Sequence, residues 1–542
     1  MLTGMMMRRQ LTMTSIIEHA SRVFPDTMIV SATAEGSRHS YSYREASRRI
    51  GQLANTLTAL GVRPGDRVAT LAWNGFRHFE LYYAIAGIGA VCHTLNPRLP
   101  AEQLACIVEH AADRVLFFDP TLASLVSQSR AAFPDDLRLV VMADGLAGCE
   151  SPELADVMIY EQLLANAAPD CPWPELDESV AAGLCYTSGT TGAPKGVLYS
   201  HRSSVLHALS VIAAGTEGLR PGNVILPVVP LFHANAWGLP HAAPLVGASL
   251  VLPGPRLDGP SLFTLMDRER VTSAWGVPTV WVGLIEEMRR QGRKPQGLVE
   301  VIVGGSAAPA AMIERFEHEF GVCVVHGWGM TETSPVGTLC TLPEGRGTLT
   351  TGAEINKKLS QGRPLFGVEL KIVEDGERQA HDGKAAGELY VRGHSVTAGY
   401  FENPAATATA FDAEGWFKTG DVARIAPDGF LQIVDRSKDL IKSGGEWISS
   451  IDVENAALSL PGVAMCAVIA VAHNKWGERP LLVVVKRDGS EVTREEIIAA
   501  LASRLTKWQV PDDVLFVDCL PMTATGKVSK LRLREQLAPQ GN

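Results

Sequence analysis

Helix-length stretches alternate with short apolar runs through much of this chain, and that rhythm limits the folds open to it more than any other feature. From Ser42 onward, Tyr43 to Leu60, Phe79 to Gly87 and Ala101 to Ala111 read as helices, while Arg67 to Ala72, Val91 to Leu95 and Arg114 to Phe118 read as strands. Such alternation is the βαβ pattern of a mostly parallel sheet covered by helices. It returns after Val224 through Ser249 to Leu252, Ser273 to Val277 and Val299 to Val303, each followed by a helical segment. Two doubly wound α/β layers are expected. After about Thr350 the texture changes: Gly362 to Ile372, Gly387 to Gly393 and Gly429 to Val434 read as strands split by turns such as Glu374-Asp375-Gly376. Beyond Asp435-Arg436-Ser437-Lys438 the pattern is αβ again, with helices near Ile451 to Ser459 and Arg494 to Leu505 and strands at Ala464 to Ala472 and Leu481 to Val485. The expected class is α/β: a large N-terminal domain (1–434) of two doubly wound layers with a small β-rich subdomain, a connector (435–438), and a small α+β C-terminal domain (439–542).

Composition agrees with a large soluble enzyme. A chain of 542 residues, 46% hydrophobic and 20% charged, has ample core for several domains and needs no disulfide or metal staple. A net charge of −10, from 49 Lys+Arg against 59 Asp+Glu, argues against a nucleic-acid coat or a polybasic membrane anchor, though not against a local anion site. The nine cysteines are scattered with no C-x-x-C pair, which opposes both a disulfide framework and a zinc site and suits a reducing cytoplasm. Met1 to Phe24 is interrupted by Arg8, Arg9, Gln10, Glu18 and His19, so it reads as an amphipathic start to the fold rather than a leader. No apolar run reaches the roughly 18 residues a bilayer requires.

The strongest chemical signal is Tyr186-Thr187-Ser188-Gly189-Thr190-Thr191-Gly192-Ala193-Pro194-Lys195-Gly196, delivered by the apolar segment Val180 to Cys185. Its glycines let backbone N–H groups approach a ligand, Thr187, Ser188, Thr190 and Thr191 add neutral donors, and Lys195 adds a mobile positive charge. That combination suits a polyphosphate, although it is not a Walker A motif because Gly follows the Lys. A second segment, Val303-Gly304-Gly305-Ser306-Ala307, turns from a strand into a helix, as many α/β corners do for packing reasons alone. Shortly after it, His326-Gly327-Trp328-Gly329-Met330-Thr331-Glu332-Thr333 offers an aromatic surface for a base between glycines, and a hydroxyl and a carboxylate on one short loop. A carboxylate oxygen is what Mg²⁺ accepts beside phosphate oxygens, which makes Glu332, with Thr187, the candidate metal ligands.

Taken in order, Tyr186 to Gly196, His326 to Thr333, Thr419-Gly420-Asp421, Asp435 to Ser450 and Pro521 to Lys527 resemble the adenylate-forming superfamily of acyl-CoA synthetases, firefly-type luciferases and nonribosomal-peptide adenylation domains. The resemblance spans essentially the whole chain. Pro230 to Gly238 and Lys442 to Ser449 look most like medium- and long-chain fatty acyl-CoA synthetases and methylthiopropionate-CoA ligases. The resemblance implies ATP, Mg²⁺ and coenzyme A as cofactor and co-substrates, with a carboxylic acid converted to an acyl-adenylate and then to a thioester. It implies that Lys527 reaches the substrate carboxylate and the α-phosphate, and that Asp421 and Arg436 hold the ribose. Gly305, Ser306, Ala307 and His326 to Glu332 would complete the nucleotide site. His233 would lie near the carboxylate, and Trp237, Trp275, Val277, Gly304 and Gly329 would wall the acyl chain, Trp237 as the aromatic that closes an acyl tunnel. Lys438 would be the hinge of a mobile C-terminal domain whose alternate pose brings Gly444, Gly445, Glu446 and Trp447 to the pantetheine channel. A homodimer is implied by resemblance alone.

Three readings compete. A peptide-synthetase domain would place an acidic residue just after the Phe to pair with a substrate amine, whereas this chain has Phe232-His233, so an uncharged tail is preferred. A luciferase-like oxygenase shares the ATP motifs, but Gly444-Gly445-Glu446-Trp447 resembles CoA-transferring enzymes. A non-catalytic nucleotide-binding protein would have no use for Lys527, Glu332 and Asp421 together. Among CoA ligases, one for a short or sulfur-containing acid such as 3-methylthiopropionate remains the alternative to a fatty acid.

Overall fold

The structure is a computed structural model of the 542-residue chain, and it describes residues 1–146, 148–187, 194–342, 357–444, 446–523 and 527–537. Ser188, Gly189, Thr190, Thr191 and Gly445 lie outside the described residues. Two large sheets form the N-terminal domain. A seven-stranded sheet contains the parallel strands Arg67–Leu71, Val91–Leu95, Asp113–Phe118, Arg138–Val141 and Ala181–Thr187 and ends in the antiparallel strand Lys195–Ser200. A nine-stranded sheet is parallel through Ser249–Leu252, Val224–Pro227, Ser273–Gly276, Glu300–Val303 and Cys323–Gly329, and antiparallel at both edges.

Local chemistry starts the helices where the sequence pattern expects them. Ser42 caps Tyr43–Ala59: its Oγ accepts from Glu45 N at 3.3 Å while its own N–H donates to the Glu45 carboxylate at 2.7 Å. Thr493 and Glu496 repeat this capping box at Arg494–Ala502. The N-terminal segment does contribute an amphipathic helix, Met13–Val23, which buries Met13, Ile16, Ile17 and Ala20. Helix Phe76–Gly87 is buried on every side between the layers. Its Glu80, wholly buried, meets Arg49 at 2.7 Å and accepts from Tyr160 Oη at 2.6 Å, so a charge taken from water keeps its partners.

Two expectations about strands change. The run Gly362 to Ile372 is two elements: Arg363–Pro364 pairs with Val336–Leu339 on the nine-stranded sheet, and only after a turn does Val368–Glu374 enter the β-rich subdomain. The subdomain itself is antiparallel, in the order Glu377–Arg378, Val368–Glu374, Ala386–Gly393, Phe417–Ile425, Leu431–Arg436. In the C-terminal domain the apolar runs become a long antiparallel pair, Val463–His473 with Gly477–Lys486, flanked by Asp513–Phe516 and the hairpin Ile441–Ser443/Glu446–Ile448. Among the described residues, no helix is long and apolar enough to cross a membrane.

Candidate active site

Thr187 ends one strand and Lys195 begins its antiparallel neighbour, and the register pairs them directly. The two strand ends that flank the threonine-rich segment therefore stand side by side. Lys195 Nζ stands 4.9 Å from the ring centre of Tyr400, whose hydroxyl donates to Glu332 Oε1 at 2.8 Å. Glu332 lies in the turn Thr331–Thr333 after strand Cys323–Gly329, anchored further where its carbonyl accepts from Thr397 N at 2.8 Å. Burial raises its carboxyl above the ordinary carboxylate range, opposed by the Tyr400 hydroxyl, Arg436 and Lys195. A cation brought to it would reverse that shift.

Asp421 and Arg436 face each other across two antiparallel strands, with Arg436 Nε 3.1 Å from Asp421 Oδ1. The other oxygen of Asp421 accepts from the Trp328 indole N–H at 2.8 Å. Trp328 is itself buried, so here it holds the carboxylate as well as lining the loop. His326 is neutral, pushed down to about 4 by burial. Its Nδ1 lies 3.1 Å from the Leu359 carbonyl and its Nε2 accepts from Ala308 N at 3.3 Å, so both ring nitrogens are occupied by backbone and the imidazole braces the Ser306–Ala307 corner.

Lys527 arrives from the C-terminal segment. Thr523 N donates to the Lys527 carbonyl at 2.6 Å and Lys527 N to Thr523 Oγ1 at 3.1 Å, which fixes the backbone that presents it. A Cβ on Gly305 would stand 3.4 Å from Lys527 Cε and 3.8 Å from Nζ, so the ammonium lies against the Gly304–Gly305 corner. Desolvation pushes it down to about 8, helped by Arg436 and opposed by Asp421. His233 shares the neighbourhood: burial, then Lys527 and Arg98, hold it down to about 4, so it is a neutral imidazole there. Arg98, whose guanidinium is 6.0 Å from the Phe232 ring centre, was not singled out from the sequence.

The apolar wall adjoins the same corner. A Cβ on Gly304 would be 2.9 Å from Trp237 Cη2, so only glycine lets the indole lie across the strand end. Trp237 meets Trp275 edge-on at 6.4 Å between ring centres, and Val277 Cγ1 is 3.2 Å from the position of a Gly305 Cβ. Ala234, Asn235, Ala236 and Trp237 have φ of 45°, 53°, 46° and 57°. A left-handed turn built from residues with Cβ atoms costs roughly 1–2 kcal/mol per residue.

Lys195, Glu332, Asp421, Arg436, Lys527, His233, Gly305 and Trp237 are thus joined through direct contacts or mutual fields. The expected CoA segment is not among them. Trp447 is half exposed beneath Lys442, and Gly444, at φ 62°, packs under Trp476, whose carbonyl accepts its N–H at 2.8 Å. Lys438 lies between the two groups along the chain and is exposed, with its carbonyl facing Arg534 at 3.4 Å. The sequence reading missed Tyr400; its only local signal is an aromatic after Gly399 at a turn.

Comparison with known proteins agrees with this geometry. The AMP-binding enzyme family matches residues 17–401, and its C-terminal domain, the AMP-binding enzyme C-terminal domain, matches 452–527. The chain is 46% identical to a medium-chain-fatty-acid CoA ligase of Ectopseudomonas oleovorans over 98% of this chain and 97% of that one. It is also 46% identical to a 3-methylmercaptopropionyl-CoA ligase of Ruegeria lacuscaerulensis, over 98% of each. The solved structure of ATP-bound MatB from Rhodopseudomonas palustris superposes with a TM-score of 0.81 at 26% identity, over 96% of this chain and 99% of that one. The chain is an enzyme of the AMP-binding family, with the adenylate-forming CoA ligase fold.

Proposed function

We propose that this enzyme is an ATP-dependent ligase joining a medium- or long-chain fatty acid to coenzyme A through an acyl-adenylate. The observation that carries it is Lys527 lying against Gly305, between the Asp421–Arg436 pair and an apolar wall of Trp237, Trp275 and Val277. Bringing an anionic carboxylate up to a polyphosphate is opposed by charge, so the site needs cations where the two meet. Lys527 there would hold the acid's carboxylate against the α-phosphorus, and Lys195 would neutralise the outer phosphates. A carboxylate oxygen then forms the new P–O bond as the bond to pyrophosphate breaks. The CoA thiolate later attacks the carbonyl carbon and AMP departs with the C–O electron pair. Asp421, held by Arg436 and Trp328, would accept from the ribose hydroxyls, and neutral His233 would border the carboxylate without competing for it.

Mg²⁺ fits the donor set. Among the described residues no cluster of three or more His, Cys, Asp or Glu could hold a metal alone. One buried carboxylate, Glu332, with the Thr187 hydroxyl and substrate phosphates is the sparse set this ion accepts. When bound it would neutralise phosphate charge.

Relatives of equal similarity are named for 3-methylmercaptopropionate, which makes a short sulfur-containing acid the second reading. Among the described residues no cysteine is joined in a disulfide, in keeping with a cytoplasmic enzyme, and a homodimer is the expected assembly. AMP release with CoA, measured across short, sulfur-containing and long acids, tests the substrate; exclusive turnover of short acids would overturn the fatty-acid reading. Lys527→Ala should slow acyl-adenylate formation by orders of magnitude and largely spare thioester formation from supplied acyl-adenylate. Equal loss in both half-reactions would remove Lys527 from the role proposed. Gel filtration reads the assembly.

A further inference from the structure

The run Ala234 to Gly238 is one turn of left-handed helix, with φ of 45°, 53°, 46°, 57° and 80°. L-residues visit this region singly and do not string together in it, because each Cβ crowds the following carbonyl. Such a run persists only where its surroundings over-determine it, and the restraints can be named here. Gly238 has no alternative, since a Cβ would fall 2.7 Å from His207 Nδ1. Ala236 N donates to the carbonyls of Pro230, at 3.2 Å, and His233, at 3.3 Å. The centre of the turn is held by a side chain. Asn235 is buried, and its amide oxygen accepts from Tyr82 Oη at 3.1 Å and from the Cys185 thiol at 3.4 Å.

Those partners come from different layers. Tyr82 lies on helix Phe76–Gly87 and shares its one hydroxyl hydrogen between Asn235 Oδ1 and the Leu231 carbonyl, 2.5 Å away in the stretch that leads into the turn; Cys185 is on the seven-stranded sheet, 3.1 Å from Thr94 Oγ1. The turn is pinned at its second residue to a point where helix and sheet meet, and two residues later it carries Trp237. The indole lies across Gly304, one residue from the corner that Lys527 approaches. An acid with its carboxylate at Lys527 must send its tail past that ring.

We propose that Tyr82 and Asn235 are positioning residues that hold the left-handed turn and so set how far Trp237 closes the acyl channel, making them determinants of chain-length selectivity. This rests on the reading of Trp237 as a wall of the acyl site. Removing the tether lets the strained turn relax towards right-handed backbone, and the indole leaves Gly304. Tyr82→Phe deletes one hydroxyl from a buried ring. Asn235→Gly deletes the tether while easing the left-handed backbone, so it separates loss of the amide from added strain.

The test measures kcat/KM for a short, a medium and a long saturated acid, with KM for ATP and the thermal midpoint, in the wild type, Tyr82→Phe, Asn235→Gly, Trp237→Ala and the double variant Tyr82→Phe/Trp237→Ala. The expected result is that Tyr82→Phe and Asn235→Gly each shift the long-to-short ratio by about fivefold or more while KM for ATP stays within about twofold. With Trp237 removed, Tyr82→Phe should shift the ratio less than about twofold, because the two act through one element. An unchanged ratio in both single variants, with Trp237→Ala shifting it, overturns the proposal and leaves the acyl-wall reading intact. An unchanged ratio in Trp237→Ala overturns that reading, and the proposal with it. If Tyr82→Phe does not fold, Asn235→Gly decides.

Discussion

Glu332 lies in a short turn after a strand, and the Tyr400 hydroxyl donates to it from 68 residues away. Burial raises its carboxyl, and the Tyr400 hydrogen bond is the largest influence pulling it back. Tyr400→Phe should raise it further. If Glu332 holds Mg²⁺ as proposed, only its charged carboxylate can do so, and the acid limb of acid-dependent ATP–pyrophosphate exchange should move to higher pH, with the Mg²⁺ concentration for half-maximal rate increasing about threefold or more while KM for the acid holds. An acid limb that stays in place would mean the hydroxyl does not act on this carboxylate. The residue scale is where the sequence was both most and least informative. Lys527, Lys195 and Asp421 lie in contiguous motifs and could be named there as candidates. Trp328, expected as a flat surface for a base, also donates to Asp421, a contact across 93 residues that no local pattern announces.

At the scale of elements, the strand Leu431–Arg436 runs into the segment that the C-terminal domain grips. Asp435 accepts from Ser450 N at 2.6 Å and Ser450 Oγ at 2.7 Å, and the Val434 carbonyl accepts from Ser449 Oγ at 2.7 Å, so the first turn of helix Ser450–Leu458 docks on the strand end. Beyond it, Arg534 meets Asp439 at 2.6 Å. Lys438 sits between these two clasps, which is where a rotation would concentrate. Lys438→Pro, by locking φ, should slow thioester formation by about tenfold or more and affect acyl-adenylate formation far less; single-turnover measurement of each half-reaction reads this, and equal rates before and after substitution would place the rotation elsewhere. A helix cap offers a control without catalytic content. Ser42→Ala, which opens the capping box of Tyr43–Ala59, should cost about 1 kcal/mol, seen as a lower thermal midpoint with unchanged KM values.

For the whole molecule, the proposed rotation of the C-terminal domain would be coupled to the charge on Lys527. Docked against Gly305 its ammonium is lowered from the ordinary 10.5 to about 8, chiefly by desolvation. Withdrawn into solvent it would regain the ordinary value. The docked state therefore binds fewer protons between pH 8 and 10.5, and raising pH through that window favours docking; below pH 8 the full cost applies, about 3 kcal/mol for a shift of this size. Without nucleotide, a distance label spanning the two domains should report more of the docked pose at pH 9.5 than at pH 7. With ATP present, phosphate charge supports the ammonium and the dependence should flatten. A docked fraction independent of pH in both conditions would mean that this lysine does not govern the pose.

By itself the sequence determined the layers, the order of the motifs and which side chains are candidates for the reacting groups. Apolar periodicity and glycine placement act over a few residues, and a lysine or carboxylate has the same chemistry wherever the chain puts it. Tertiary structure alone decided the environment of those groups. Tyr400 on Glu332, Trp328 on Asp421, His326 given over to backbone, Arg363–Pro364 drawn into another sheet, and a left-handed turn held open at Asn235 all depend on surfaces that meet only after the layers pack. Burial then sets which of the groups carry charge, because desolvation belongs to the assembled interior and to no stretch of sequence.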